Sequence, residues 1–196
     1  MPPGVHTARY LFPDQGEEAA LSSITELVDV GVVPVDVALE CCSGVPEVEG
    51  SHPRLVADGE VLRIWRSHRG GQLDTLHAWQ RRTICTFTFP HLRPDLVQLT
   101  VSGIDAEEGC RADAVRIAGF QVATGRGLTV RPRTSFVPER VVAETPGVDG
   151  TATFTYAGAP MEAFTVHLWD AHVGPRSAPA LQRLSIGHFT VGVRRR

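Results

Sequence analysis

Between residues 83 and 102 the side chains alternate with a period of two, a period that a helix cannot satisfy. The run TICTFTF puts Cys85, Phe87 and Phe89 on one side and Ile84, Thr86 and Thr88 on the other. Successive Cβ atoms of a strand point to opposite faces, so this run reads as a strand with an apolar face and a wetter one. Pro90 ends it, because proline cannot donate to a ladder. After Pro94-Asp95 a second strand is expected, with Val97, Leu99 and Val101 opposed to Gln98, Thr100 and Ser102. A polar turn over 103–109 leads to a third run that closes on Ile117, Phe120 and Val122.

The pattern returns near the C-terminus. Thr86-Phe87-Thr88-Phe89 is echoed by Thr153-Phe154-Thr155-Tyr156, Asp105-Ala106 by Asp170-Ala171, and Ile117-Ala118-Gly119-Phe120 by Ile186-Gly187-His188-Phe189. One reading is two diverged copies of a three-stranded unit. The other is that two β-rich halves align this loosely by chance.

Elsewhere the signals are shorter. Residues 14–30, DQGEEAALSSITELVDV, carry Asp14 and Glu17 at capping-box spacing and an apolar face of Ala20, Leu21, Ile24, Leu27 and Val28, with Gly31 as a stop; this predicts an N-terminal amphipathic helix. Val33, Val35, Val37 and Leu39 alternate as a strand. Asp58-Gly59 between two apolar runs predicts a tight hairpin, and 72–79 fits a strand or a short helix. Strands outnumber helices and hairpin-length links dominate. The expected fold is therefore mainly β, an antiparallel β-sandwich built from two related β-units plus the N-terminal helix. The expected segments are 1–82 (helix and hairpin), 83–145 (first β-unit) and 146–196 (second β-unit), separate or packed as one domain.

At TFTFPHLRPDLVQLTVSGID, the Arg111 segment and AGFQV, the chain resembles the H-type lectins, small β-sandwich domains that bind galactose-type and N-acetylgalactosamine sugars. The resemblance covers roughly residues 83–122 and, more weakly, 151–193. It implies a non-catalytic carbohydrate-binding module, self-association through sheet edges, and a sugar site that uses Arg111 and Asp105. The family also uses an aromatic-plus-polar pair after the Gly-Phe strand; here that region reads ATGRGLTV and has no aromatic.

Composition excludes several chemistries. All 19 basic residues are arginine and the chain has no asparagine, so Schiff-base lysines, the P-loop lysine and N-glycosylation are excluded. A formal charge of −3 gives no reason to expect nucleic acid as a partner. No apolar run reaches the ~18 residues of a membrane span. The N-terminus does not read as a secretory signal, so cytoplasmic residence is the default expectation, with export left open. Cys41, Cys42, Cys85 and Cys110 form no CxxC pair and read as free thiols, with a Cys85–Cys110 bridge as the alternative after export. No cofactor is expected.

Residues 167–172, HLWDAH, offer a second ligand site. His167 and Trp169 share one strand face, where an indole could stack on a pyranose while the histidine binds hydroxyls. An outer sheet face with an exposed aromatic fits the same residues. Asp170 and His172 with His188, or Asp105 with Glu107 and Glu108, could be metal ligands, although scattered surface groups read identically. Arg63, Trp65, Arg66, His68, Arg69, Arg81 and Arg82, with Trp79, concentrate charge and flat surface suited to an anionic ligand, or to the protection of a sheet edge. No GxSxG elbow is present. A small β-barrel enzyme of cyclase or isomerase type and a structural assembly protein are the competing functions. A deep enclosed cavity lined by titratable groups would favour the enzyme, and a shallow groove with an aromatic floor the binding module.

Overall fold

The computed structural model describes residues 5–9, 23–26, 35–41, 54–58, 61–68, 74–175 and 180–194. Within them the strands are β1 (Val5–Arg9), β2 (Ser23–Glu26), β3 (Val35–Cys41), β4 (Arg54–Asp58), β5 (Val61–His68), β6 (Thr83–Thr88), β7 (Leu96–Ile104) and β8 (Ala106–Glu107). They continue with β9 (Arg111–Ile117), β10 (Gln121–Thr124), β11 (Leu128–Arg131), β12 (Arg140–Ala143), β13 (Gly150–Ala157), β14 (Ala163–Asp170) and β15 (Ala180–Arg194). A short helix, α1, spans Thr75–Gln80.

These strands form two antiparallel sheets. One has seven strands, in the order β10-β13-β7-β15-β5-β4 with β1 also on β15; the other has eight, in the order β11-β12-β9-β14-β6-β3-β2 with β8 on β9. Their inner faces share one apolar core. Val97, Leu99, Val101, Leu62, Leu184 and Ile186 come from the first sheet, and Cys85, Phe87, Val115, Val141, Val166 and Leu168 from the second. The architecture is a β-sandwich.

The alternation read from the sequence appears as burial. In β6, Thr83, Cys85 and Phe87 are buried and their neighbours half-buried; in β7, Val97, Leu99 and Val101 are buried and Gln98 is exposed. Strands β4 and β5 pair antiparallel, with Asp58 opposite Val61, as the hairpin expectation requires. At the far end of β7, Gly103 takes a positive φ of 76°. A Cβ there would meet the Arg183 carbonyl oxygen at 2.4 Å, so only glycine lets β15 lie this close.

The helix expected over 14–30 is corrected where the chain is described. Ser23–Glu26 is a strand paired with β3, Ile24 opposite Val37 and Thr25 opposite Asp36. The β-branched pair Ile24-Thr25 suits a pleated ladder better than a helical turn. The remainder of 14–30 lies outside the described residues. Within the ambiguous 72–79 segment, the described residues from 75 onward belong to α1. Its N-cap, Asp74, accepts the His77 backbone N–H at 2.8 Å, which satisfies one of the first-turn donors.

Segments 1–82, 83–145 and 146–196 all contribute strands to both sheets. The echoed stretches fall in opposite sheets: residues 86–88 run along β6 in the eight-stranded sheet and 153–156 along β13 in the seven-stranded one. In chain order β6, β7 and β9 alternate between the sheets in one sense, and β13, β14 and β15 in the opposite sense.

Candidate functional site

Strand parity sends the four residues singled out by sequence to two sides of the same sheet. Arg111 lies on β9 in phase with Asp113, Val115 and Ile117, facing the sandwich interior. Its Nη2 meets Asp105 Oδ1 at 2.5 Å, its Nε lies 3.7 Å from Asp113 Oδ1, and its Nη1 donates to the Leu181 carbonyl on the opposite sheet. Asp113 is fully buried. It accepts from Gln182 Nε2 at 2.7 Å and from the Asp105 backbone N–H at 3.2 Å. Burial raises the Asp113 carboxyl well above the ordinary aspartate range, while the Arg111 charge and the Gln182 amide act in the opposite sense. The structure pairs Arg111 with Asp105. Their chemistry is a latch between the two sheets, and the Arg111 side chain is only 12% exposed.

His167 and Trp169 lie on the outer face of the eight-stranded sheet. Their strand neighbours Val166 and Leu168 point into the core, while α1 packs over the outer side. Trp169 is 1% exposed, in a small satellite core with Ala78, Ala114, Val137 and Val142. The Trp79 ring meets it edge-on at 4.9 Å. This corrects the expectation of a sugar platform: the indole is almost wholly covered by Ala78, Val137 and the Trp79 ring. Period two identifies which side chains share a face, but not whether another element covers that face.

His167 is equally committed. Arg82 Nε donates to its Nδ1 at 3.2 Å, which puts the imidazole proton on Nε2, 3.1 Å from Thr165 Oγ1. The Arg82 guanidinium also stacks over Trp79, 4.1 Å from the ring centroid, and donates to the Trp79 carbonyl. Burial, then the charges of Arg82 and Arg116, lower the His167 pKa to about 4. A histidine depressed from 6.5 holds fewer protons folded than unfolded, so its contribution to stability is complete above pH ~6.5 and lost as pH falls towards 4. In urea unfolding between pH 7 and pH 4.5, the wild type is expected to lose about 1–2 kcal/mol more than His167→Gln, the figure being discounted for a half-exposed ring. Equal losses would contradict this role for His167.

Beside this cluster lies a feature the sequence did not announce. An open cleft of about 570 Å³ runs between the turn at 117–120 and the loop at 133–139, with Arg116, Phe120, Arg133, Phe136 and Glu139 in its lining. Its loop wall is pinned from below. Arg140 Nη1 lies 3.3 Å from the carbonyls of both Pro132 and Pro138, Thr134 N–H donates to the Val137 carbonyl at 2.8 Å, and Val137 is buried against Trp169. The result is a braced loop that holds Phe136 out, 68% exposed. The other wall ends on Phe120, whose ring packs on Tyr156 and Phe164 at 5.5 and 5.2 Å. Phe136 is thus the exposed aromatic of the cleft, and it comes from this second loop. A pocket of about 210 Å³ shares Val137 with the cleft and sits over Trp169 and Arg140.

Asp170 has structural partners. Asp170 Oδ1 accepts the backbone N–H groups of Ala112 and His172 at 3.0 and 2.9 Å. Among the described residues no cluster of three His, Cys, Asp or Glu side chains is placed to hold a metal ion. Cys85 and Cys110 are free and buried, not bridged, and burial drives the Cys85 thiol far up, away from nucleophilic use. No helix among the described residues is long and apolar enough to cross a membrane.

No protein-family model matches the chain, and no curated protein matches it. Among solved structures, it is similar to one described as "CBM4 structure and function", with 13% identity, a TM-score of 0.37, and 80% of this chain and 85% of the other covered. At those values the reading of the site rests on its own geometry.

Proposed function

We propose that the protein is a non-catalytic binding module and that its ligand is a carbohydrate, bound in the cleft between the 117–120 turn and the 133–139 loop. The observation that carries this reading is the braced, solvent-exposed Phe136 ring beside an open polar groove. A pyranose presents an apolar C–H face to such a ring and hydroxyls to the surrounding donors and acceptors. The likeness to the H-type lectins points to galactose-type or N-acetylgalactosamine sugars. In this reading Trp169 and His167 brace the neighbourhood of the site, Arg111 and Asp105 lie away from it, and none of the four touches the ligand. The groove's openness favours binding over catalysis. We also propose that the two strand triplets descend from one duplicated unit, since their opposite placement is what a two-fold axis between the sheets would produce.

A glycan array tests the reading, with calcium present and then chelated. The wild type is expected to bind selectively in both conditions. Phe136→Ala is expected to weaken that binding about tenfold while leaving stability within about 0.5 kcal/mol, because the ring is exposed. Silence across the array from a folded, monodisperse sample would remove carbohydrate as the ligand.

A further inference from the structure

We infer that the saccharide bound in this cleft carries a negative charge, a uronate carboxylate or a sulfate ester; this rests on the carbohydrate reading above. The observation is Arg116. Its guanidinium lines the cleft, is half-buried, and makes no hydrogen bond or ion pair with any described residue. Neighbouring arginines are differently placed: Arg82 is bound to His167 and Trp79, and Arg140 to two loop carbonyls. Arg116 stands opposite His167 in the strand register, with the Arg82 charge close by. Burial and that like charge lower its pKa, with Glu139 acting in the opposite sense.

A partly desolvated guanidinium with five N–H donors and no partner among the described residues keeps those donors available to a ligand's oxygens. The adjoining positive charge disfavours another cation, and a planar carboxylate or a sulfate meets the fork with charge-assisted bonds stronger than a neutral hydroxyl makes. Arg133 adds a second guanidinium to the lining, and Glu139 is the only carboxylate among the lining residues. Two cationic groups against one anionic group, with Phe136 alongside, suit an acidic sugar ring better than a neutral one. Position fits as well: Arg116 sits at the end of β9, where the 117–120 turn begins, so a ligand stacked on Phe136 across the cleft can reach it.

Isothermal titration calorimetry at pH 7 tests this on the intact chain. The probes are a galacturonic acid oligosaccharide, its fully methyl-esterified form, a sulfated galactose oligosaccharide and the matching neutral galactose oligosaccharide. The expected result is that an acidic probe binds about tenfold or more tightly than its neutral counterpart. That preference should shrink with added salt and disappear in Arg116→Gln, with Arg133→Gln giving a smaller loss. Because Arg116 makes no internal bond, its substitution is expected to fold normally, and thermal melting checks this. A preference for the uronate assigns the site to carboxylates, and one for the sulfated probe to sulfate esters. Equal binding of acidic and neutral probes would overturn the inference and leave the carbohydrate reading standing. Acidic preference that survives both substitutions would overturn the site. Binding of none of the four would remove the inference together with the reading it rests on.

Discussion

Replacing Trp169 with alanine is expected to lower the unfolding free energy by about 3–5 kcal/mol, the range for truncating a buried aromatic. The ring is 1% exposed and anchors the satellite core on the outer face of the eight-stranded sheet. Removing it deletes the contact with Ala78 and Val137 and the edge-on packing of Trp79. The loss should spread, because α1 and the 133–139 loop both rest on this residue. Without it, the Arg82–Trp79–His167 cluster loses its platform and the cleft loses the floor that braces Phe136. Trp169→Phe keeps a ring and is expected to cost less than half as much. Urea unfolding followed by circular dichroism measures both. A loss below about 1 kcal/mol for the alanine variant would be that of a surface residue and would contradict the satellite-core account.

Arg111→Ala is expected to destabilise by a similar amount, about 3–5 kcal/mol, for an electrostatic reason. The variant leaves Asp113 fully buried beside Asp105 without its cation, and removes the Arg111 bond to the Leu181 carbonyl that ties the sheets together. Much of the cost should be recovered by adding Asp113→Asn, which keeps a side-chain hydrogen-bonding partner for Gln182 and removes the charge. The pH dependence has a definite sign. A carboxyl whose folded pKa is raised contributes stability below its unfolded value, lost as pH rises through the folded one. The penalty in Arg111→Ala should therefore be larger at pH 8 than at pH 4.5. A penalty that is flat with pH, or no rescue by Asp113→Asn, would contradict this account. It follows that lost ligand binding in Arg111→Ala would not identify Arg111 as a ligand contact, since the fold itself is weakened.

The inner layer of this protein was legible because it is periodic. Alternation in 83–102 marked the buried faces of β6 and β7, and Asp58-Gly59 marked a hairpin, since both signals are local. The 14–30 stretch misled because its apolar spacing satisfies a helix, whereas at Ser23–Glu26 pairing with β3 decides the conformation, and that pairing is not local. Trp169 was assigned to the correct face but not to the correct environment. Its cover, α1 and Val137, comes from distant positions in the chain. Arg111 and Asp105 were named only as sugar-site residues by resemblance; Gln182 and Leu181, which complete their latch between sheets, lie some 70 residues from β9. The cleft left no trace in the sequence reading, because it is made by two aperiodic segments, 117–120 and 133–139.

The central claim is that ligand binds in the outer cleft, away from the Arg111 latch. The most direct measurement is an amide chemical-shift titration of ¹⁵N-labelled protein with whichever saccharide an array selects. The account predicts saturable shifts concentrated at 116–120 and 133–139, with residues 105–113 and 181–182 unmoved. Shifts concentrated at 105–113 and 181–182, with the cleft silent, would contradict it and return the site to Arg111 and Asp105.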